Sequence, residues 1–403
     1  MNHETSHRHE LRIDPTIDDV AVFAIWERAR SEEERILAAL RDAFEVLAVV
    51  EVEWDPARFS EHLTRFYGTL LPAGSNKEEH CGTGPFVVVV VRDPSPTYEV
   101  RPTSKGWKRV QKRVFDAKQE FRTWTGGGHR IHASNDPMEA MHDLHLLLGT
   151  DFDRDPIASW RSLDSGGTLR TAPPGDGGWA SVDAMFRTLN HTQRYVVLRN
   201  FEGYPDSVTL DGHDDVDLLV PSFRDAVLIL GARSVFEAPY RVHTAVDVGG
   251  VELRIDLRHV GDRYYDANWQ GNMLQSRVRL PSGIYTPDRE NHFFGLVYHA
   301  LVHKQTVAPD YLERFERLER DTGLRADAAS LATFMNERGY LLAPPEDRSV
   351  GFHAPQELVS SVTTPMAGRI QHGRNVAKGA VKSTLRTLGL LDTVKRWLGK
   401  GPN

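Results

Sequence analysis

Cysteine and long apolar runs are both scarce in this sequence. Cys81 is the single cysteine, so no disulfide forms within the chain and no multi-cysteine metal site is available. We therefore expect a reducing, cytoplasmic setting. Apolar runs such as Phe86–Val91 have the length of a strand and fall far short of the ~18 residues that span a bilayer. The first residues lack the apolar segment of a signal peptide, and residues 1–17 are expected to form a disordered arm.

The sequence also lacks an excess of basic charge. Its 49 Lys and Arg residues are outnumbered by 56 Asp and Glu residues, which gives a net charge of −7. A protein that coats nucleic acid needs a basic surface, so nucleic acid is not an expected partner. The apolar share of 40% over 403 residues instead predicts a globular chain of about two domains.

Residues 365–403 have the opposite charge balance. They contain eight basic residues and a single acid, Asp392, together with apolar residues at helical spacing. This pattern predicts a basic amphipathic tail that binds either an anionic membrane surface or a protein surface, its own included. Peripheral contact with the inner membrane face is therefore an alternative to a purely cytoplasmic location.

Glycine and proline are concentrated in a stretch that divides the chain. Residues 151–180, which contain the letters SGGTLRTAPPGDGG, predict a linker between a domain at 18–150 and a second domain at 181–345. Strand-like and helix-like segments alternate in the first domain, apart from a basic, polar loop at 101–128. The second domain contains strand patterns up to about residue 257 and helical patterns from about residue 289.

His132 stands just before a predicted helix that opens with an Asp-Pro pair. A neutral imidazole in this place can attack a phosphoryl group while the helix N-terminal amides hold the phosphate. Asp143, inside the same helix, can orient the ring. A zinc site made by His129, His132, His142 and His145 is the alternative chemistry for this segment.

Three motifs of the first domain resemble the nucleoside diphosphate kinase family. Gly128–Asn135 is similar to the stretch around the active histidine of that family. Gly84–Val88 is similar to its central strand, and His62–Gly68 to its tyrosine-bearing helix. Over residues 18–150, the resemblance implies a ferredoxin-like sandwich of the nucleoside diphosphate kinase type.

The same resemblance implies roles for individual residues. His132 would carry the phosphoryl group, with Ser134 and Asp143 as its supports. Tyr67 and Arg122 would contact the phosphates of a bound nucleotide.

The chain departs from this family at two positions and in the loop Arg101–Gly128, which does not match the nucleotide-clamping loop of the family. Trp26-Glu27-Arg28 stands where the family has the lysine of a K-P-D motif, and His129 stands where it has an asparagine. Loss of the lysine removes a positive charge from the transferring phosphate. A retained fold that binds a ligand without catalysis is therefore the alternative interpretation.

Two aspartates open a predicted strand in the second domain. Asp215 and Asp217 are two positions apart, so both side chains point to one face of the strand. Asp256 lies on a later predicted strand. Three such carboxylates can hold Mg²⁺ ions against a triphosphate. A surface strand that simply begins with charged residues is the alternative.

This arrangement resembles the nucleotidyltransferase superfamily whose prototype is DNA polymerase β. The resemblance covers about residues 180–310 and implies a mixed sheet followed by helices, with Asp215, Asp217 and Asp256 as ligands of Mg²⁺. The Gly-Ser pair that usually grips the phosphates in this superfamily is missing. Arg199 is the candidate that takes its place.

A predicted helix after the sheet carries His299, His303 and Lys304. The two histidines lie one turn apart and could bind a metal, although a half-buried helix with internally satisfied polar groups explains them as well. Lys304 is the stronger candidate for a phosphate contact, because the superfamily often places a basic residue on these helices.

The sequence therefore predicts an α+β chain, with a nucleoside diphosphate kinase-like sandwich followed by a nucleotidyltransferase-like mixed sheet and C-terminal helices. The predicted activity is Mg²⁺-dependent transfer of a nucleoside monophosphate from a nucleoside triphosphate to an acceptor. That acceptor is a sugar phosphate, a small metabolite or a protein. The alternatives are a phosphotransferase that acts through His132 and a nucleotide-binding regulatory protein without catalysis. A homo-oligomer is compatible with all three.

Overall fold

The computed structural model describes residues 20–103, 106–149, 167–204, 215–236, 241–307 and 309–364. The predicted arm at 1–17 and the predicted tail at 365–403 lie outside these ranges. Two compact units divide the chain. The first comprises Met1–Gln193 with Val227–Gly231, and the second Arg194–Ala226 with Ala232–Asn403.

A mixed five-stranded sheet forms the centre of the first unit. The strands of this unit are β1 (Val20–Ile25), β2 (Glu45–Glu53), β3 (Phe86–Arg92), β4 (Tyr98–Thr103), β5 (Gly106–Gln111), β6 (Ile131–Ala133) and β7 (Thr168–Arg170). The main sheet has the order β6-β1-β3-β2-β7, while β4 and β5 form a separate hairpin. The pairs β6–β1, β1–β3 and β3–β2 are antiparallel, and β7 pairs with β2 in parallel. The predicted linker at 151–180 therefore contributes a strand to this sheet.

The valines of β3 explain why this sheet is buried on both faces. Successive side chains in a strand point to opposite faces, so an unbroken apolar run requires cover on each side. Val88 and Val90 pack into one hydrophobic cluster, and Val87, Val89 and Val91 pack into another.

Helices cover the two faces of the sheet. They are α1 (Glu33–Ala43), α2 (Phe59–Tyr67), α3 (Asn76–Cys81), α4 (Lys112–Trp124), α5 (Pro137–Leu148) and α6 (Val182–Thr192). The side chain of Asp136 caps α5 at its start, and Gly149 ends it in the left-handed region, at a φ of 65°. The prediction of a loop at 101–128 was wrong, because this segment contains most of the β4–β5 hairpin and all of α4.

The second unit is built on another mixed sheet. Its strands are β8 (Val196–Val197), β9 (Asp215–Val220), β10 (Arg233–Ser234), β11 (His243–Val248), β12 (Val251–His259), β13 (Val278–Arg279) and β14 (Tyr285–Thr286). The main sheet has the order β10-β11-β12-β9-β8, with β9 parallel to β12 and the other pairs antiparallel. Strands β13 and β14 pair separately.

The later part of the second unit is helical. α7 (Phe223–Leu230) falls across the division between the units and is followed by α8 (Ala267–Gln275), α9 (Arg289–Tyr298), α10 (Pro309–Thr322), α11 (Ala328–Glu337) and α12 (Gln356–Ser361). A π-helical turn, His299–His303, directly extends α9. In the part of the chain that is described, no helix combines the length and apolarity needed to cross a bilayer. The structure confirms the α+β class, with mixed sheets and helices in both units.

Candidate functional site

His132 is held between a strand and a helix of the first unit. It lies in the middle of β6, opposite Ala24 of β1, and is 8% exposed. Asp143 of α5 is buried, and its Oδ2 lies 2.6 Å from Nε2 of His132. Its Oδ1 lies 3.2 Å from Nδ1 of His142. One carboxylate thus contacts two imidazoles.

The charge of Asp143 determines which ring nitrogen of His132 donates a hydrogen bond. Burial by itself would raise the pKa of Asp143, but the contacts with His132 and His142 lower it below its ordinary value. An ionised carboxylate only accepts hydrogen bonds, so Nε2 of His132 is the donor. Nδ1 has no hydrogen-bond partner and is not one of the fully enclosed, unpaired nitrogens of the described residues. It is therefore open to solvent.

Aromatic and cationic side chains surround this ring. The rings of Phe66 and Tyr67 meet His132 edge-on, with centroids 5.0 and 5.7 Å away. Nζ of Lys77 lies 3.4 Å from the centroid of the Tyr67 ring. Burial raises the pKa of Tyr67, which keeps it protonated. Sequence reasoning missed Lys77, because it lies on the short polar helix α3 with no motif around it.

Ser134 and Arg122 engage the backbone beside His132. The Oγ of Ser134 accepts a hydrogen bond from the amide of Val22 at 3.0 Å. Nε of Arg122 donates to the carbonyl of Ile131 at 3.0 Å. Of the residues predicted for this site, Asp143 and Tyr67 contact the His132 ring, whereas these two fix the strand that carries it.

The four histidines of the zinc alternative do not meet. His145 contacts Thr188, with Nε2 and Oγ1 2.8 Å apart, and His129 packs against His80 with ring centroids 5.6 Å apart. Within the described ranges, one group of three metal-type ligands lies within 4.8 Å. This group consists of His132, Glu139 and Asp143.

Trp26 and Glu27, which stand where the nucleoside diphosphate kinase family has its lysine motif, make core and loop contacts. Trp26 packs against Phe86 and Trp54, with ring centroids 4.6 and 6.0 Å away. Oε2 of Glu27 accepts hydrogen bonds from the amides of Thr83 and Gly84, both at 2.8 Å. This segment therefore supports the fold rather than a phosphate.

The second unit aligns the three predicted aspartates on neighbouring strands. Asp217 of β9 stands directly opposite Asp256 of β12 in a parallel pair, and Asp215 precedes Asp217 by two positions. Asp217 and Asp256 are both buried. The sequence prediction of a shared neighbourhood for these residues agrees with this register.

Arginines occupy two of the three carboxylates. Nη2 of Arg199 lies 2.5 Å from Oδ1 of Asp217, and Nη2 of Arg258 lies 3.1 Å from Oδ2 of Asp256. Burial raises the pKa of Asp217, and the nearby Asp256 adds to this effect, although Arg199 opposes it. Arg199 therefore contacts a predicted metal ligand in the structure.

Residues distant in sequence complete this buried network. Nη1 of Arg199 donates to the hydroxyl of Tyr264 at 2.8 Å, and that oxygen lies 2.7 Å from Nδ1 of His299. Nη1 of Arg258 donates to Asp347 at 3.2 Å. Sequence reasoning missed Arg258 and Asp347, because the two are 89 positions apart and no motif links them.

The two histidines of the π-helical turn are buried, whereas the lysine that follows the turn is exposed. His299 and His303 are buried, and burial followed by the charge of nearby arginines holds their pKa values well below the ordinary range. They are therefore neutral. Lys304 follows the turn and is exposed.

The carboxylates of the second unit have the right chemistry for Mg²⁺, which prefers oxygen ligands. Two of them are nevertheless in salt bridges, and the three do not bring one oxygen each within 4.8 Å in the described part of the chain. In this arrangement Asp215, Asp217 and Asp256 do not fit a three-carboxylate magnesium site.

No protein-family description and no curated protein matches the chain. Among solved structures, a crystal structure of the nucleoside diphosphate kinase of Aquifex aeolicus is similar over 31% of this chain and 92% of the kinase. The identity is 15% and the TM-score is 0.22, which is too weak a likeness to assign a function.

Proposed function

We propose that the first unit is a phosphotransferase that carries a phosphoryl group on Nδ1 of His132. The observation behind this proposal is that Asp143 contacts one nitrogen of the His132 ring and leaves the other nitrogen without a partner among the described residues. Nε2 contacts the buried Asp143 at 2.6 Å, which leaves the lone pair on the solvent-facing Nδ1. A neutral imidazole with an accessible lone pair is a nucleophile for phosphorus.

In the proposed step, Nδ1 attacks the phosphorus of a phosphate ester or anhydride. The N–P bond forms as the P–O bond to the leaving group breaks, and the electron pair leaves with that oxygen. The proton on Nε2 stays between the ring and Asp143, whose negative charge balances the positive charge that the ring gains. Attack by an acceptor oxygen on the phosphohistidine then restores the free ring.

Lys77, which lies over the Tyr67 ring, and Arg122, which donates to the Ile131 carbonyl, are cations close to this site. Burial lowers the pKa of His129, three residues before His132, to about 4, and the charges of Lys77 and Arg122 contribute to that shift. In the proposed complex these cations would stabilise a phosphate dianion. A nucleoside triphosphate, implied by the sequence resemblance, is the first donor to test.

The test is incubation of the purified chain with γ-labelled ATP or GTP and Mg²⁺. We expect label on the protein that is labile in acid and stable in alkali, as for phosphohistidine. His132→Ala should abolish this label. His142→Gln, a change on α5 that keeps the His132–Asp143 contact, should retain it. Label that persists in folded His132→Ala, or its absence from the wild type with either donor, would refute the proposal.

A second candidate is the nucleotidyl transfer that the sequence predicts in the second unit. The register that puts Asp217 opposite Asp256 favours it, and the salt bridges to Arg199 and Arg258 count against it. Its test is transfer of label from α-labelled nucleoside triphosphates to sugar phosphates, together with release of unlabelled pyrophosphate. Asp217→Asn should abolish the release, whereas Asp247→Asn, at an exposed position of β11, should leave it unchanged.

A further inference from the structure

We infer that Lys118, together with Arg122, is a positioning residue for His132, an inference that rests on the proposed function of that histidine. Both cations project from α4, one helical turn apart. Nζ of Lys118 donates to the carbonyl of Ala133 at 3.0 Å, and Nε of Arg122 donates to the carbonyl of Ile131 at 3.0 Å. The two cations therefore hold the backbone on either side of His132.

The position of β6 at the edge of the sheet makes these contacts necessary. β6 pairs with β1 alone, so the carbonyls along its outer side need donors from elsewhere. Lys118 is 6% exposed, and burying a charge is costly when a neutral donor could satisfy the same carbonyl. The charge at this position therefore indicates a function beyond closing the edge.

Lys118 also connects the strand to the helix that carries Asp143. Its Nζ donates to Oδ1 of Asn135 at 2.9 Å. The amide and the side chain of Asn135 in turn donate to Glu139 of α5, at 3.0 and 2.6 Å. Through these contacts Lys118 sets the spacing between His132 on β6 and Asp143 on α5.

Charged groups on two helices act on the Lys118 ammonium. The pKa of Lys118 falls to about 8, chiefly because of burial; Arg122 of α4 adds to the fall, whereas Glu139 and Asp143 of α5 oppose it. Above this pH the lysine becomes neutral and its hold on the Ala133 carbonyl weakens.

The test compares phosphorylation rates of Lys118→Met, Lys118→Arg and Lys112→Met from pH 6 to pH 10. We expect at least a tenfold loss in Lys118→Met, because small displacements of reacting groups cost this much or more. The wild-type rate should fall above pH 8, and Lys118→Arg should keep its rate to higher pH. Lys112→Met, an exposed change on the same helix, should match the wild type. A wild-type rate in folded Lys118→Met, or an unmoved alkaline limb in an active Lys118→Arg, would overturn the inference.

A second measurement separates failure of this inference from failure of the proposed function. Nitrogen-15 NMR of the His132 ring reports the Nε2–Asp143 hydrogen bond without any phosphoryl donor. In Lys118→Met we expect the Nε2 proton to exchange faster with water, while in Lys112→Met it should not. Unchanged exchange in Lys118→Met overturns the positioning role. If exchange is faster in Lys118→Met than in the wild type, but the wild type forms no phosphohistidine, only the phosphotransferase proposal is refuted.

Discussion

The buried carboxylates of the two units have different kinds of partner. In the first unit, Asp143 contacts Nε2 of His132, and the other ring nitrogen has no hydrogen-bond partner within the described part of the chain. In the second unit, Asp217 contacts the guanidinium of Arg199, which is always charged. A carboxylate beside an imidazole polarises a group that can still react, whereas the charge of a carboxylate beside an arginine is balanced by a group that does not react. The comparison favours the first unit as the site prepared for chemistry.

The largest expected effect follows from removing the charge of Asp143. In Asp143→Asn the amide can donate to Nε2 of His132, which moves the ring proton to Nδ1 and removes the nucleophilic lone pair. We expect the rate of phosphohistidine formation to fall by about a thousandfold, within the range for lost acid–base support. Rapid-quench labelling measures this rate. Asp116→Asn, a change at a partly exposed position of α4, is the control, and equal rates in the two variants would contradict the assignment of Asp143.

The second unit should respond in stability. Arg199→Met leaves Asp217 buried without its partner, and breaking a buried ion pair on one side costs about 3 kcal/mol of unfolding free energy. Urea denaturation measures it. Arg233→Met, which removes an exposed ion pair on β10, should cause no measurable change. Adding Asp217→Asn to Arg199→Met should restore part of the loss. A fully stable Arg199→Met would show that the pair contributes nothing.

Strand and helix periodicity made much of the fold predictable. Phe223–Leu230 has a clear apolar pattern at helical spacing and Val20–Ile25 is an apolar run of strand length, and the structure has a helix and a strand there. The segment at 101–128 was mispredicted for a physical reason. The β4–β5 hairpin exposes most of its side chains, including Trp107, so it has no apolar alternation.

Helix α4 shows why the site was harder to predict than the fold. Its buried positions are Val114, Lys118 and Phe121, so a lysine interrupts the stripe that marks a core-facing helix. The contact of Lys118 with Ala133 forms only when β6 takes the sheet edge. Local patterns gave His132 and Asp143, which share one motif, but they could not give partners that only the tertiary fold brings in.

A smaller effect concerns a buried neutral histidine of the second unit. Burial lowers the pKa of His292 to about 4, well below the ~6.5 of the unfolded chain. Between these values the unfolded state binds a proton that the folded state does not, so stability falls as the pH drops through this window. From pH 7 to pH 5 the loss is about 2 kcal/mol. His292→Phe, which keeps a ring against Phe201, should lack this loss in urea titrations at the two pH values.

The smallest effect separates the causes of two similar pKa values. His129 in the first unit also has a pKa of about 4, but there the charges of Lys77, Arg122 and His80 all add to burial. At His292 the charge of Glu202 opposes those of Arg314 and Arg317. Salt screens charges and does not reverse burial. Raising the ionic strength from 0.01 to 1 M should therefore raise the pKa of His129, by about half a unit, and leave that of His292 nearly unchanged. Histidine NMR titrations at both salt concentrations measure the two shifts. Equal shifts would mean that no special positive field surrounds His129, and the phosphate-binding character assigned to the first unit would lose its electrostatic basis.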